Sequence, residues 1–299
     1  MTATPKTSLT GFTVDGTRCA AWITLPDRPG PHSAVVLVHG LGATHDMMLN
    51  QYEHHFAAAG IATLAFDYRH TGASGGSPRQ RISMRRHRAD VHAALDYLRA
   101  RDDIDANRIG LWGTSLGAMH ALRVAAACHD LAAVVVQCPI VYGPAAARSG
   151  PRAVARLSPA VIADAARILL RRKRRYVPIV AAPGATAVVT VPGALDGWNS
   201  TTPPGAVFDN RIAAANAIGL ATVTATRHAR RITAPLLVCV SDNETLMDPR
   251  HAALVAARAP RGTARHYAAD HFEVYHPPML ATVLADQTHF LTEHLHVNQ

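Results

Sequence analysis

The chain has 299 residues, of which 48% are hydrophobic and 17% are charged, and this is enough apolar sequence to bury a large core. Its 30 basic residues outnumber the 21 acidic ones and give a net charge of +9, which favours anionic partners over cationic ones. The four cysteines lack C-x-x-C spacing and no run of about 18 apolar residues occurs, so the sequence predicts a cytoplasmic protein without a membrane span or a cysteine-held metal.

The chain begins with strand signals and then alternates strand and helix signals. Residues 9–14 and 18–25 flank Asp15-Gly16, a pair typical of tight turns, and they predict an antiparallel hairpin. Short, mostly apolar runs predict strands at 34–38, 61–66, 109–114, 131–137 and 236–240, and a further strand is predicted at 263–268. Helix signals occupy 47–59, 83–101, 116–127, 249–259 and 278–294. This alternation predicts an α/β fold in which helices cover both faces of a mostly parallel sheet.

The regular alternation stops between residues 142 and 231. This stretch contains Pro, Gly and Thr clusters, an amphipathic segment near 159–170, the basic run 171–175 and a helix-like segment at 209–230. A loop of this length without structure of its own is unusual in a compact domain. We therefore predict a helical cap at 142–231, inserted into a core formed by 1–141 and 232–299.

The most informative motif is Gly113-Thr114-Ser115-Leu116-Gly117, which follows an apolar strand signal and opens an Ala-rich helix signal. A serine hydroxyl becomes a nucleophile only when the backbone presents it to a base and to oxyanion donors. A sharp strand-turn-helix with glycines on either side provides that presentation. Ser115 is therefore the candidate nucleophile.

The turn after the strand at 34–38 supplies the second component. His39-Gly40-Leu41-Gly42 places main-chain N–H groups where the first core strand ends. Such a turn can direct one N–H at the carbonyl of a substrate. The N–H groups of Leu41 and Leu116 are the candidate oxyanion hole.

The triad acid is expected in the loop that follows the strand at 236–240, and two carboxylates compete for that role. Asp242 is nearer the strand end, whereas Glu244 occupies the position of the second acid in the commoner G-D-x-D-x-x-V-P loop. Either carboxylate can hold a histidine in the required tautomer. Glu244 is favoured, and Asp242 stays the alternative.

The candidate base is selected by position among 18 histidines. His271 follows both the serine and the acid along the chain and lies in the loop after the strand at 263–268. His266 falls inside that strand, and His276 lies further on. His271 is therefore the expected partner of Ser115.

Together, these residues resemble the α/β-hydrolase fold family over nearly the whole chain. The segments 66–80 and His271-Phe272-x-x-Tyr275 are similar to those of a narrower group of bacterial hydrolases with a cap. The resemblance implies an eight-stranded sheet and a Ser-acid-His hydrolase that forms an acyl-enzyme. Two departures are Glu244, where the family usually has Asp, and Asp270, where it usually has Gly before the histidine.

The expected reaction is hydrolysis of a carboxylic ester, thioester or lactone, with no metal and no organic cofactor. The expected partner is a small acyl substrate, including one linked to a carrier or to coenzyme A, and neither nucleic acid nor membrane is expected. An acyltransferase or cyclase with the same triad is the main alternative. Binding of anions or nucleic acid through the arginine clusters at 79–88 and 171–175 is a remote one. The oligomeric state, including a dimer, stays open.

Overall fold

A computed structural model describes residues 5–206 and 208–297, apart from the side chains of 147–149. Over those residues the strands are β1 (Lys6–Val14), β2 (Thr17–Leu25), β3 (His32–Val38), β4 (Ala62–Phe66), β5 (Ile104–Thr114), β6 (Ala133–Gln137), β7 (Tyr176–Val177), β8 (Ile212–Ala213), β9 (Leu236–Ser241) and β10 (Gly262–Tyr267). The α-helices are α1 (Leu49–Ala58), α2 (Met84–Arg99), α3 (Leu116–Ala125), α4 (Gly143–Ser149), α5 (Pro151–Leu169), α6 (Ala194–Ser200), α7 (Ala217–Thr222), α8 (Arg250–Arg258) and α9 (Met279–His294).

Eight of these strands form one sheet in the order β1-β2-β4-β3-β5-β6-β9-β10. The first two strands form the predicted hairpin, and β2 also runs antiparallel to β4. The other neighbouring pairs are parallel. The prediction of a mostly parallel eight-stranded sheet is confirmed. Because parallel strands share a direction, the loops that follow β3, β5, β6, β9 and β10 emerge at the same edge of the sheet.

The core lies on both faces of the sheet, since alternate residues of each strand point in opposite directions. Val36 and Leu111 pack on the face that α2 and α3 cover. Val35 and Trp112 pack on the other face, together with residues of α1 and α9. This double coverage explains why the central strands are continuously apolar.

The segment 142–231, here called the insertion, lies between β6 and β9 and contains α4 to α7 with the small β7–β8 pair. Its amphipathic part belongs to α5, which starts at Pro151, eight residues before the predicted segment. The expectation of helix across 209–230 is wrong, because only α7 and two 3₁₀ turns are helical there. The Val223 carbonyl accepts from Gly143 N–H, and Ala225 N–H donates to the Val141 carbonyl, so this backbone is extended against the core.

Two buried histidines, His87 on α2 and His120 on α3, predict that the fold is sensitive to acid. Burial lowers the pKa of His120 to about 3 and that of His87 well below its ordinary value, and neither ring has a hydrogen-bond partner in the described chain. An unfolded histidine takes up a proton near pH 6.5, so acid stabilises the unfolded state and stability falls as the pH drops below that value.

We expect the free energy of unfolding, measured with urea, to fall by about 2 kcal/mol between pH 6.5 and pH 5 on account of His120, and His87 should add to this fall. Replacing His120→Leu should remove its part of that pH dependence. The control Leu122→Val, also on α3, should lower stability equally at both pH values. An unchanged pH dependence in His120→Leu would contradict the assignment.

Candidate active site

Ser115 occupies the single residue between β5 and α3, and its backbone is in a conformation that few L-residues adopt. Its φ is 55° and its ψ is −121°. The strained turn is held on both sides, because Ser115 N–H donates to the Gln137 carbonyl at 3.0 Å and its own carbonyl accepts from Ile140 N–H at 3.1 Å. The buried hydroxyl therefore projects from the carboxyl edge of the sheet at the N-terminus of a helix.

Two glycines allow the first core strand to approach this turn. A Cβ on Gly117 would lie 2.1 Å from the Val38 carbonyl oxygen, which no side chain could tolerate. A Cβ on Gly40 would lie 3.0 Å from the Ser115 Cβ. The missing side chains let the loop after β3 pack directly against Ser115.

His271 lies in the loop after β10, and its buried ring faces the serine. Its Nε2 is 3.0 Å from the Ser115 Oγ. Asp270, where the family usually has glycine, helps to order this loop. Its carboxylate accepts from the N–H groups of Phe272 and Glu273 at 2.7 and 2.8 Å, and its own N–H donates to the Glu273 side chain.

Glu244 reaches the other side of the histidine ring. Its Oε2 is 2.6 Å from His271 Nδ1, and its Oε1 accepts from Leu246 N–H at 2.8 Å. Because a carboxylate only accepts, Nδ1 carries the proton and Nε2 is free to accept from the serine hydroxyl. The side chains of Ser115, His271 and Glu244 thus form one hydrogen-bonded series.

Asp242, the alternative acid, contacts a different histidine. Its carboxylate is 2.7 Å from Nδ1 of His266, and these two side chains are 45% and 52% exposed. The Nε2 atom of His276 is 3.0 Å from the Ser200 Oγ, and this contact is exposed. The structure therefore brings together the favoured acid and base, while the competing residues form pairs at the surface.

The candidate oxyanion donors flank the serine. Leu116 is the first residue of α3, so its N–H has no acceptor within the helix. Over the described ranges, no acceptor is found for the N–H of Leu41 or of Leu116. Tyr68 helps to fix the loop that carries Leu41, since its hydroxyl donates to the His39 carbonyl at 3.3 Å.

The segment 66–80, which sequence similarity singled out, stabilises the loops next to this site. The Asp67 carboxylate accepts from His45 N–H at 2.8 Å and from Ala73 N–H at 2.7 Å. The Arg69 guanidinium is hydrogen-bonded to the buried Asp90 carboxylate. The motif thus supports the loop after β3 rather than supplying a group next to the serine hydroxyl.

Sequence reasoning missed a small polar cluster behind the serine. The Tyr275 hydroxyl is hydrogen-bonded to Thr114 Oγ1 and lies 3.4 Å from the Cys138 Sγ. Cys138 directly follows β6 and has an unusual φ of 35°. Its position at a strand end was the signal that could have identified it.

Cys138 and Glu244 influence the protonation of His271. Burial lowers the pKa of an imidazole, but the negative charge of Glu244 and the hydrogen bonds of the ring to Glu244 and Cys138 outweigh burial and hold the pKa of His271 well above its ordinary value. A general base must be neutral to accept a proton. Activity should therefore be lost as the pH falls through this raised pKa.

We expect kcat/KM to rise with pH along a limb whose midpoint lies above about 6.5. Cys138→Ala removes one of the groups that raise the pKa, so it should move this limb to lower pH. Cys128→Ala, whose thiol lies 3.6 Å from His92 instead, should leave the limb in place. A pH–rate profile of the three proteins checks this, and an unmoved limb in Cys138→Ala would contradict it.

Two cavities meet at Ser115. One, of about 50 Å³, also borders His271, Thr114 and Tyr275. The other, of about 190 Å³, extends between α3 and the insertion. Its larger apolar lining side chains are Leu41, Leu116, Met119, Ile140, Val154, Leu157, Val188, Val189, Val191, Trp198, Leu220, Val223 and Leu246.

No group of three or more His, Cys, Asp or Glu side chains in residues 5–206 and 208–297 is arranged to hold a metal ion. Over the same residues, no helix has the length and apolar character needed to cross a bilayer.

Comparison with known proteins gives a consistent set of similarities. The family described as serine aminopeptidase, S33, matches residues 29–277. The quorum-quenching protein AidA of Acinetobacter baumannii is 34% identical over 281 residues, which cover 94% of this chain and 92% of AidA. Thiohydrolase aneE of Aspergillus aculeatus is 33% identical over 132 residues, or 44% of this chain and 40% of that protein. The crystal structure of the α/β-hydrolase GrgF from Penicillium sp. sh18 superposes with a TM-score of 0.81 at 21% identity, covering 97% of this chain and 99% of GrgF.

Proposed function

The chain belongs to the serine aminopeptidase S33 family of α/β-hydrolases, and from that premise we propose that it is a serine hydrolase that cleaves an ester, thioester or lactone. The observation that carries this proposal is the series from Ser115 Oγ through His271 to Glu244, with contacts of 3.0 and 2.6 Å. Ser115, the first member of this series, lines an apolar cavity. Among the residues that the structure describes, neither cavity at the serine is lined by Asp or Glu, so these residues offer no carboxylate for the amino terminus of a peptide.

In the proposed mechanism, His271 Nε2 takes the Ser115 proton as Oγ bonds to the acyl carbon. The N–H groups of Leu41 and Leu116 stabilise the resulting oxyanion, and Glu244 stabilises the imidazolium. The bond to the leaving group then breaks as His271 returns the proton to it. Water, activated by the same histidine, releases the acid and restores the serine.

The larger cavity indicates which part of the substrate is apolar. Its lining consists mainly of Ala, Val, Leu, Ile and Met side chains, and burial of each methylene of a chain contributes about 0.8 kcal/mol. We propose that the insertion acts as a cap and that this cavity holds the acyl chain. Thioesters of coenzyme A or of a carrier belong to the same proposal.

We expect kcat/KM for p-nitrophenyl esters to rise by about fourfold per added methylene until the cavity is filled. Leu157→Trp, which narrows the cavity from α5, should shift the preference to shorter chains. Ile168→Trp, on the exposed side of the same helix, is the matched control and should leave the profile unchanged. A flat chain-length profile in the unmodified protein would contradict the assignment of this cavity.

A second function, acyl transfer, is favoured by the enclosure of the serine. Ser115 and His271 are both buried, and the smaller cavity beside them is bordered by Met47, Trp198 and Phe272, which leave little room for bulk water. An alcohol, an amine or a nucleophile within the substrate would then accept the acyl group. Product masses with and without an added alcohol or amine distinguish transfer from hydrolysis.

A further inference from the structure

Exposed apolar side chains are concentrated on one helix of the insertion. Eight large hydrophobic residues are exposed in the described chain, and five of them lie between Val154 and Leu170. Ile162, Leu169 and Leu170 are 68%, 85% and 65% exposed. Ile162 and Leu169 are seven residues apart and therefore share one face of α5. A group of large apolar side chains in water usually marks a binding surface.

Positive charge adjoins these side chains. Arg171, Arg172 and Lys173 follow the end of α5, all three are exposed, and none has a carboxylate partner in the part of the chain described. Arg174 differs, because the buried carboxylate of Asp164 binds it at 2.6 Å. Together, Ile162, Ile168, Leu169, Leu170, Arg171, Arg172 and Lys173 are called the α5 surface.

Arginines of the core extend the positive region. The basic segment 79–88 lies beside the chain that follows the α5 surface, since the Tyr176 hydroxyl donates to the Arg79 carbonyl at 3.0 Å. Gln80 connects this part of the core to the insertion, since its carbonyl accepts from Ala213 N–H. The two arginine clusters of the sequence therefore meet in the structure.

At the end of α5, an arginine occupies a backbone position in which glycine is the usual residue. Arg171 has a φ of 51°, its N–H donates to the Ile168 carbonyl, and Arg172 N–H donates to the Arg167 carbonyl. This pattern is a Schellman motif, whose left-handed position favours glycine. The chain has arginine there instead, directly beside the exposed Leu169 and Leu170.

We propose that the α5 surface binds an anionic phospholipid bilayer, with Leu169 and Leu170 inserted among the lipids and the cations on the headgroups. Large apolar side chains next to Arg and Lys are typical of helices that bind at a membrane interface. A second copy of this chain on a two-fold axis would bring like charges together, which disfavours self-association through this surface.

The position of α5 links membrane binding to catalysis, and this step of the inference rests on the proposed function. Ala153, Val154 and Leu157 of the same helix line the apolar cavity beside Ser115. A substrate with a long acyl chain concentrates in a bilayer. Binding through α5 would therefore hold the cavity close to its substrate. The sequence alone led to an expectation of no membrane partner, because it does not show which leucines are exposed.

The test is cosedimentation of the full chain with vesicles of phosphatidylcholine alone or mixed with phosphatidylglycerol at 30 mol%, a ratio of about 7:3, at a near-physiological salt concentration of about 0.15 M. We expect binding only to the anionic vesicles. Arg171→Gln, Arg172→Gln and Lys173→Gln together should weaken it about 100-fold, since each cation near such a surface contributes about fivefold. Leu169→Gln with Leu170→Gln should weaken it about tenfold.

The matched controls make the same kinds of substitution, Arg→Gln and Leu→Gln, outside the α5 surface. Arg230→Gln, Arg261→Gln and Arg265→Gln remove three exposed cations outside the α5 surface, and Leu9→Gln alters an exposed leucine on β1. Neither control should change binding. All variants should keep the thermal unfolding temperature and the rate on a water-soluble ester, because the altered side chains are exposed.

Three results would overturn the proposal. They are no binding to anionic vesicles, binding that the leucine variant does not weaken, and a solution dimer that the leucine variant converts to monomer. The last would assign the surface to a second copy. Because the readout is binding, Ser115→Ala protein should behave like the unmodified protein, and failure here is distinguishable from failure of the proposed hydrolysis.

Discussion

Ser115→Ala should lower kcat/KM for an activated ester by about 10⁴-fold or more, because the proposed acyl-enzyme forms on this hydroxyl. Residual turnover should come from the oxyanion donors and from substrate binding alone. The substitution removes one oxygen from a buried side chain, and the turn is held through the main chain to Gln137 and Ile140. The protein should therefore fold, and KM should change little.

The matched control for this prediction is Ser241→Ala. Ser241 is also a buried serine at the end of a central strand, and its hydroxyl has no hydrogen-bond partner in the structure as described. Its loss should leave kcat/KM unchanged. Equal activity of Ser115→Ala and the unmodified protein would require another nucleophile.

Glu244→Gln should lower kcat/KM by about 10³- to 10⁴-fold, because an amide cannot stabilise the imidazolium or enforce the tautomer with the proton on Nδ1. The two carboxylates of this loop can be compared directly, because each contacts a different histidine. Glu244 is 2.6 Å from His271, whereas Asp242, two residues earlier, is 2.7 Å from His266. Asp242→Asn should stay within about twofold of the unmodified protein, since its exposed contact with His266 lies away from His271 and contributes little.

Stopped-flow or steady-state assays of both variants on one ester decide between the two acids. The reverse order, with Asp242→Asn inactive and Glu244→Gln active, would mean that the loop rearranges when substrate binds. Glu244→Asp is a useful third variant, because it restores the usual acid of the family with a shorter reach. We expect it to regain part of the lost activity.

The fold was largely predictable because buried parallel strands have a simple signature. Runs such as 34–38 and 131–136 are apolar at every position, as expected of a strand covered on both faces. The candidate triad was predictable for a related reason. A strand end marks where a loop reaches the carboxyl edge of the sheet, and Ser115 and His271 both follow such ends.

Other features depend on contacts that the sequence does not contain. Asp242 and Glu244 lie in one loop, and only its path decides which carboxylate faces His271. Residues 209–230 have helical propensity, but pairing of the backbone near Val223 with the core replaces the helix. The exposure of Leu169 is equally invisible in the sequence, because an apolar residue at the end of a helix is usually buried.

The most direct measurement of the central claim is covalent labelling with a fluorophosphonate, followed by intact mass and peptide mapping. We expect one adduct per chain, located on Ser115, that is lost in Ser115→Ala and forms much more slowly in His271→Ala. Labelling that persists in Ser115→Ala, or that maps to another residue of the unmodified protein, would contradict it.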